Sequence, residues 1–112
     1  MDTVVIVCGA GASSTFLASR MRALAKARGI ELVVEAASDA DVTARLTRAD
    51  VLLVGPHLES TFEALRSDAA DVGVPALLLP ADSFGPTGAE RALDSTLALL
   101  ATDPLTEGTA RG

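Results

Sequence analysis

Cys8 is the one cysteine of the 112-residue chain, and the seven residues behind it are all small: Gly9-Ala10-Gly11-Ala12-Ser13-Ser14-Thr15. A turn built from glycine and alanine lets successive backbone N–H groups converge on one point, forming a nest for an anion. Where a helix begins behind such a turn, its first residues add donors without intrahelical partners and the positive end of the helix dipole. A thiol beside these donors gives up its proton more readily, and the resulting thiolate is a nucleophile near neutral pH. The same N–H groups, with the hydroxyls of Ser13, Ser14 and Thr15, match the oxygens of an arriving phosphoryl group. A cysteine ending a buried strand is often only a small apolar filler, but a filler needs no run of glycines and hydroxyls after it.

Two other positions carry titratable chemistry near strand ends. His57, the sole histidine, follows Gly55-Pro56; it reads either as a solvated loop residue or as a pH-tunable donor to the thiolate or phosphate. With no second histidine and no cysteine pair, a metal centre is poorly supported. Asp82 lies in the loop Pro80 to Gly88. A carboxylate there would repel a phosphodianion, which favours a capping role in the loop or last helix over that of a general acid. Arg20, Arg22, Lys26 and Arg28 form a basic stretch with no acid among them, readable as a solvated helix face or as a docking surface that speeds encounter.

The elements that must position these residues follow from periodicity. Thr3 to Cys8 is a β-branched run without polar interruption, the mark of a central buried strand. Helical spacing from about Ser14 to Arg28 places Phe16, Leu17, Met21, Leu24 and Ala25 on one face, and Gly29 stops that helix. Ile30 to Ala36 reads as a second strand. Ser38 or Asp39 can cap a short helix through about Thr47. Asp50 to Val54 is a third strand, ended by Gly55-Pro56. A helix from about Glu59 to Ala70 follows, with Phe62, Leu65 and Ala69 inward. Pro75 to Leu79 suits an edge strand, and Ala89 to Ala101 is the last helix. Residues 1–101 make one domain, and 102–112 read as a loose tail. The alternation implies an α/β fold: a four-stranded parallel sheet, order 2-1-3-4, with right-handed crossovers and helices on both faces. In such sheets, sites form beyond the carboxyl ends of the strands near the switch in strand order. The Cys8 loop, Gly55-Pro56-His57 and the Asp82 loop converge there.

Composition narrows the function. Apolar residues make up 49% of the chain but only three are aromatic, Phe16, Phe62 and Phe84, so the core is aliphatic. A net charge of −6 argues against a nucleic-acid binder, which normally carries a basic face. The apolar start VVIVC is too short for a signal core or a membrane span. A single free thiol with no secretion signal is expected in the reducing cytoplasm.

The loop Cys8-Gly9-Ala10-Gly11-Ala12-Ser13-Ser14-Thr15 resembles the active loop of enzyme IIB subunits of the bacterial sugar phosphotransferase system. The most similar group is the lactose, cellobiose and chitobiose type. Asp50 through Glu59, ADVLLVGPHLE, resembles that family's third strand and its Gly-Pro-polar exit, with His57 where those subunits commonly carry an amide. Asp82-Ser83-Phe84-Gly85 resembles its loop before the last helix, so the likeness runs over about residues 3 to 101. It implies the architecture shared by IIB subunits and low-molecular-weight phosphatases. It also implies a cysteine phosphoryl carrier needing no cofactor. A phosphohistidine of subunit IIA would donate to Cys8, and Cys8 would pass the group to a sugar bound by the membrane subunit IIC.

The residues also weigh against neighbouring classes. A low-molecular-weight phosphatase needs an arginine six positions after its cysteine to clamp phosphate bidentately; Ser14 stands there. A redox enzyme wants a resolving cysteine. A receiver domain wants an acceptor aspartate where Gly55 stands, and a Gly-x-Gly-x-x-Gly loop is broken by Ser14. A IIB-like binding module that relays no phosphate stays open beside the carrier.

Overall fold

The computed structural model describes residues 2–7, 11–38, 41–80 and 87–101, and for 11–14 and 101 the backbone alone. Strand β1 (Asp2–Val7) forms from the β-branched run. It is the inner strand of a four-stranded sheet, paired in parallel with β2 (Leu32–Ala37) on one side and β3 (Val51–Val54) on the other. Strand β4 (Ala76–Leu78) extends the sheet beyond β3, giving the order β2-β1-β3-β4 that the alternation of elements predicts.

Val4, Val5, Ile6 and Val7 are all fully buried, because successive side chains point to opposite faces and both faces are covered. Val4, Ile6, Val51 and Leu53 pack with Leu17, Ala18, Met21, Ala25, Ala92 and Leu93. These come from helices α1 (Gly11–Ala27) and α4 (Gly88–Ala101). Val5, Val7, Leu52 and Val54 pack with Val42, Leu46 and Ala69, from α2 (Val42–Leu46) and α3 (Phe62–Asp71). A strand covered on both faces needs no polar alternation, and each fully buried aliphatic chain contributes about 1.5–3 kcal/mol.

Several boundaries differ from expectation for identifiable reasons. Helix α1 begins at Gly11 and not near Ser14. The run holds no proline, and one helical glycine costs about 1 kcal/mol, which the packing of Leu17, Ala18 and Met21 offsets. Phe16, expected on the inward face, is instead 50% exposed. It lies about 100° around the helix from Leu17, outside the strip that Leu17, Met21 and Ala25 fill. The segment expected to start a helix near Glu59 opens as a 3-10 turn (Pro56–Thr61) in which Leu58 leaves helical geometry. Leu58 packs inward there against the second cluster, and α3 begins only at Phe62. The short helix α2 begins at Val42 with Asp41 and not Ser38 at its N-cap position, and no side chain caps it, because the Ser38 hydroxyl is bonded to the Asp41 carboxylate instead; Asp39 lies outside the described residues.

Gly29 ends α1 as the sequence predicts, at φ +72. The Gly29 N–H donates to Lys26 and the Ile30 N–H to Ala25, at 3.1 and 2.8 Å, closing the helix carbonyls in a Schellman motif. Gly73, at φ +76, ends α3 in the same way, with the Val74 N–H donating to Ala69 at 2.8 Å. Nothing lies within 4 Å of a Cβ added at Gly29, so only backbone conformation resists substitution there. Gly29→Ala is expected to lower unfolding stability by about 1–2 kcal/mol. Leu53→Ala, which empties a fully buried site, is expected to cost about 2–5 kcal/mol. Urea denaturation of both variants checks the order; a Gly29 loss as large as that at Leu53 would contradict it.

Candidate functional site

The sheet register sets the strand exits in one row. Val7 pairs with Ala37 on one side and Val54 on the other, and Val54 pairs with Leu78. Two backbone bonds extend this order past the strands: the Gly55 N–H donates to the Val7 carbonyl at 2.8 Å, and the Leu79 N–H to that of Val54 at 2.7 Å. Helix α1 packs on one face of the sheet and α2 and α3 on the other, so β1 and β3 flank the switch point where α/β sheets receive ligands.

The chain passes from Val7 to the start of α1 at Gly11 through three residues, 8–10. Cys8, Gly9 and Ala10 lie outside the described residues, as does Asp82 with its loop. Gly11, Ala12, Ser13 and Ser14 form the first turn of α1, and Thr15 follows, exposed. That turn contains no acidic residue, so no carboxylate of its own neutralises the positive end of the helix dipole. His57 is exposed in the 3-10 turn, two residues after the Gly55 amide that joins β3 to the end of β1. The structure thus brings the start of α1 and the Gly55-Pro56-His57 turn to the same end of the sheet. Among the described residues no group of three His, Cys, Asp or Glu side chains could hold a metal ion.

The basic stretch of α1 divides by role. The Arg22 Nε donates to the Val34 carbonyl on the outer strand β2 at 2.8 Å. Arg28 pairs with Asp94 at 2.7 Å and Glu90 at 3.7 Å, tying the end of α1 to α4. Arg20 instead lies over the exposed Phe16 ring, 5.6 Å from its centroid, within cation–π range. Sequence reasoning misses this pair because helical spacing assigns Phe16 to the core, although the i, i+4 spacing of the two residues is an available signal.

A second polar group, not singled out from sequence, lies where β2 exits the sheet. The Asp41 carboxylate accepts the Ser38 backbone N–H at 2.7 Å and its hydroxyl at 3.0 Å, while Arg45 donates to it at 3.2 Å. Arg45 also pairs with Glu35 at 2.9 Å, linking the last turn of α2 to β2. The Ser38 backbone N–H foremost, then its hydroxyl, hold the Asp41 carboxyl below its ordinary 3.8 against desolvation, with Arg45 adding less.

A parallel sheet of order β2-β1-β3-β4, covered by helices on both faces and with its first helix starting at the switch point, defines an α/β protein of the doubly wound class, in which ligands are received beyond the strand ends. The family model described as "PTS system, Lactose/Cellobiose specific IIB subunit" matches residues 3–93, and the chain belongs to that family. It is 21% identical over 100 residues to the PTS system oligo-beta-mannoside-specific EIIB component of Bacillus subtilis (strain 168), covering 89% of this chain and 97% of the relative. The fold is shared with the lactose-specific IIB component domain of the phosphoenolpyruvate:carbohydrate phosphotransferase system from Streptococcus pneumoniae. That likeness has a TM-score of 0.73 at 16% identity and covers 87% of this chain and 95% of the other. The cellobiose-specific phosphotransferase IIB component from Borrelia burgdorferi gives a TM-score of 0.75 at 24% identity, with 91% and 94% covered. Among the described residues, no helix is long and apolar enough to cross a membrane.

Because Asp41 is more acidic in the folded chain, its contribution is fully present above the unfolded value and lost as pH falls through the folded one. Asp41→Asn is therefore expected to flatten the acid limb of the stability curve below about pH 4. Urea midpoints measured from pH 2 to 6 check this; an acid limb as steep as that of the parent protein would count against it.

Proposed function

We propose that the chain is a cysteine phosphoryl carrier of the sugar phosphotransferase system, with Cys8 as its phosphorylated residue. The observation that carries this reading is the acid-free first turn of α1, which is separated from the end of β1 by only three residues at the switch point. Membership of the IIB family supports the order of transfer. The Cys8 thiolate attacks the phosphorus of a phosphohistidine on IIA. The S–P bond forms as the P–N bond breaks, and the imidazole leaves as a neutral base once protonated. In the second step a hydroxyl of the sugar held by the membrane subunit IIC attacks phosphorus, the S–P bond breaks, and the thiolate returns as the hydroxyl proton passes to a base.

Backbone N–H groups of Gly9 to Ser14, with the hydroxyls of Ser13, Ser14 and Thr15, hold the transferring dianion without a fixed side-chain charge. Transfer then rests on in-line positioning and charge stabilisation. The absence of an arginine at position 14 favours handing the group on over hydrolysing it. In this reading Asp82 caps the loop or the last helix, and His57 donates to the phosphoryl oxygens. Residues 1–101 form the relay domain, which works in the cytoplasm. In this reading the sugar is held by IIC and not by this chain.

Incubation with the general phosphorelay proteins and a IIA subunit, followed by intact-mass measurement, tests this. One added phosphoryl group is expected on the parent chain and none on Cys8→Ser, with unchanged circular dichroism. Phosphoryl uptake by the serine variant would refute the assignment. Turnover of an aryl phosphate would point to a hydrolase, and an unmodified parent chain to a binding module. His57→Gln is expected to slow transfer several-fold with the fold intact; an unchanged rate would make His57 a solvated turn residue.

A further inference from the structure

Strand β2 forms one edge of the sheet, and among the described residues no strand pairs with its outer side. The register shows which of its main-chain groups face outward. The Thr3 and Val7 carbonyls accept the Asp50 and Gly55 N–H groups at 2.7 and 2.8 Å, so both residues are turned to the β3 side. Main-chain groups of successive strand residues point to alternate edges, which leaves Val4 and Ile6 to serve β2. Val4 lies opposite Val34 and Ile6 opposite Ala36. In a parallel ladder such residues bond to the neighbours of the residue they face, here Val33, Glu35 and Ala37. The N–H and C=O groups of Leu32, Val34 and Ala36 therefore line the open edge.

One of these groups is occupied. The Arg22 Nε, from α1, donates to the Val34 carbonyl at 2.8 Å, in the middle of the six-residue strand. An incoming strand would need that carbonyl as an acceptor and the space that the guanidinium fills. The strand's own sequence offers a partner little resistance. Leu-Val-Val-Glu-Ala-Ala holds no proline or glycine, a composition that pairs readily with copies of itself. Its one charge, Glu35, is held by Arg45 at 2.9 Å and Arg48 at 3.2 Å, so it does little to blunt the edge. The opposite edge, β4, has only three residues behind Pro75, and edges that short pair poorly.

We infer that the outer edge of β2 is a pairing surface for a second copy of this chain, held shut by the Arg22 side chain on the Val34 carbonyl. A second copy fits because it brings the same apolar strand with the same outward row of donors and acceptors. With a net charge of −6, two copies gain no attraction from overall charge. The pairing rests on main-chain hydrogen bonds and apolar side chains, and Arg22 decides whether it forms. It does not depend on the carrier reading.

Sedimentation velocity over about a hundredfold range of concentration, under reducing conditions, tests this together with amide hydrogen exchange. The parent chain is expected to stay monomeric. Arg22→Ala and Arg22→Met, the second of which keeps an aliphatic stem but no donor, are expected to associate at least about tenfold more tightly than the parent. In both variants the Val34 and Ala36 amides should exchange more slowly as concentration rises, whereas those of Val33 and Glu35, already bonded to β1, change little. Arg22→Lys, which keeps a cationic donor, is expected to remain monomeric. Lys26→Ala removes an exposed cation from the same helix and should behave as the parent. Losing a cation makes the chain more negative, so overall charge repulsion would give the opposite of the result expected for Arg22→Ala. Monomeric Arg22→Ala and Arg22→Met chains would overturn the inference. So would equal association of the parent, Arg22→Lys or Lys26→Ala, or association that leaves the Val34 and Ala36 amides unprotected.

Discussion

Strand β1 is paired along both edges and covered on both faces, so its last residue has little freedom to move. Val7 is fully buried, in register with Ala37 and Val54, and its carbonyl accepts the Gly55 N–H at 2.8 Å. That bond joins the exits of β1 and β3 at the switch point. Everything placed at the sheet's carboxyl end, from the start of α1 to the His57 turn, is referred to this one fixed position. A functional loop gains accuracy when the elements on either side of it are rigid in this way.

Helix α1 meets the other half of that requirement. Leu17, Ala18, Met21 and Ala25 seal its inner strip against the sheet. The Schellman motif at Gly29 and the Arg28 pairs to Asp94 and Glu90 hold its far end. Anchoring the far end fixes the helix axis, and with it the direction of the N–H groups in the first turn. A positive helix terminus uncompensated by any acid in its first turn favours a negative group beyond it, which is the demand a phosphoryl carrier makes of its scaffold.

Much of this was legible in the residues. The uninterrupted apolar runs at Val4–Val7 and Val51–Val54 mark strands buried on both faces, because a half-exposed strand would alternate. Gly29 announces a left-handed helix stop, and the order of strands and helices leaves a parallel sheet of order 2-1-3-4 as the simplest topology. The residues behind Cys8 supply, from residue types alone, the site proposed above. Less legible were positions where local pattern permits two answers. Phe16 fits a helical apolar pattern, yet the strip is already filled by neighbours about 100° away, and no residue-by-residue rule says which member is left outside. The Pro56–Thr61 segment reads as helix, but Leu58 is drawn toward the second core cluster and bends it into a 3-10 turn.

Composition and periodicity determined by themselves an α/β domain with an aliphatic core, and the residues after Cys8 supplied the anion-holding loop proposed at the first strand exit, since these depend on near neighbours along the chain. Tertiary structure alone decided how the charges are used. Arg22 reaches a carbonyl twelve residues away and Arg28 a carboxylate sixty-six residues away, while Arg20 folds over Phe16 and faces outward. Cations that look alike in sequence acquire different roles because their partners are brought close only when the helices settle on the sheet.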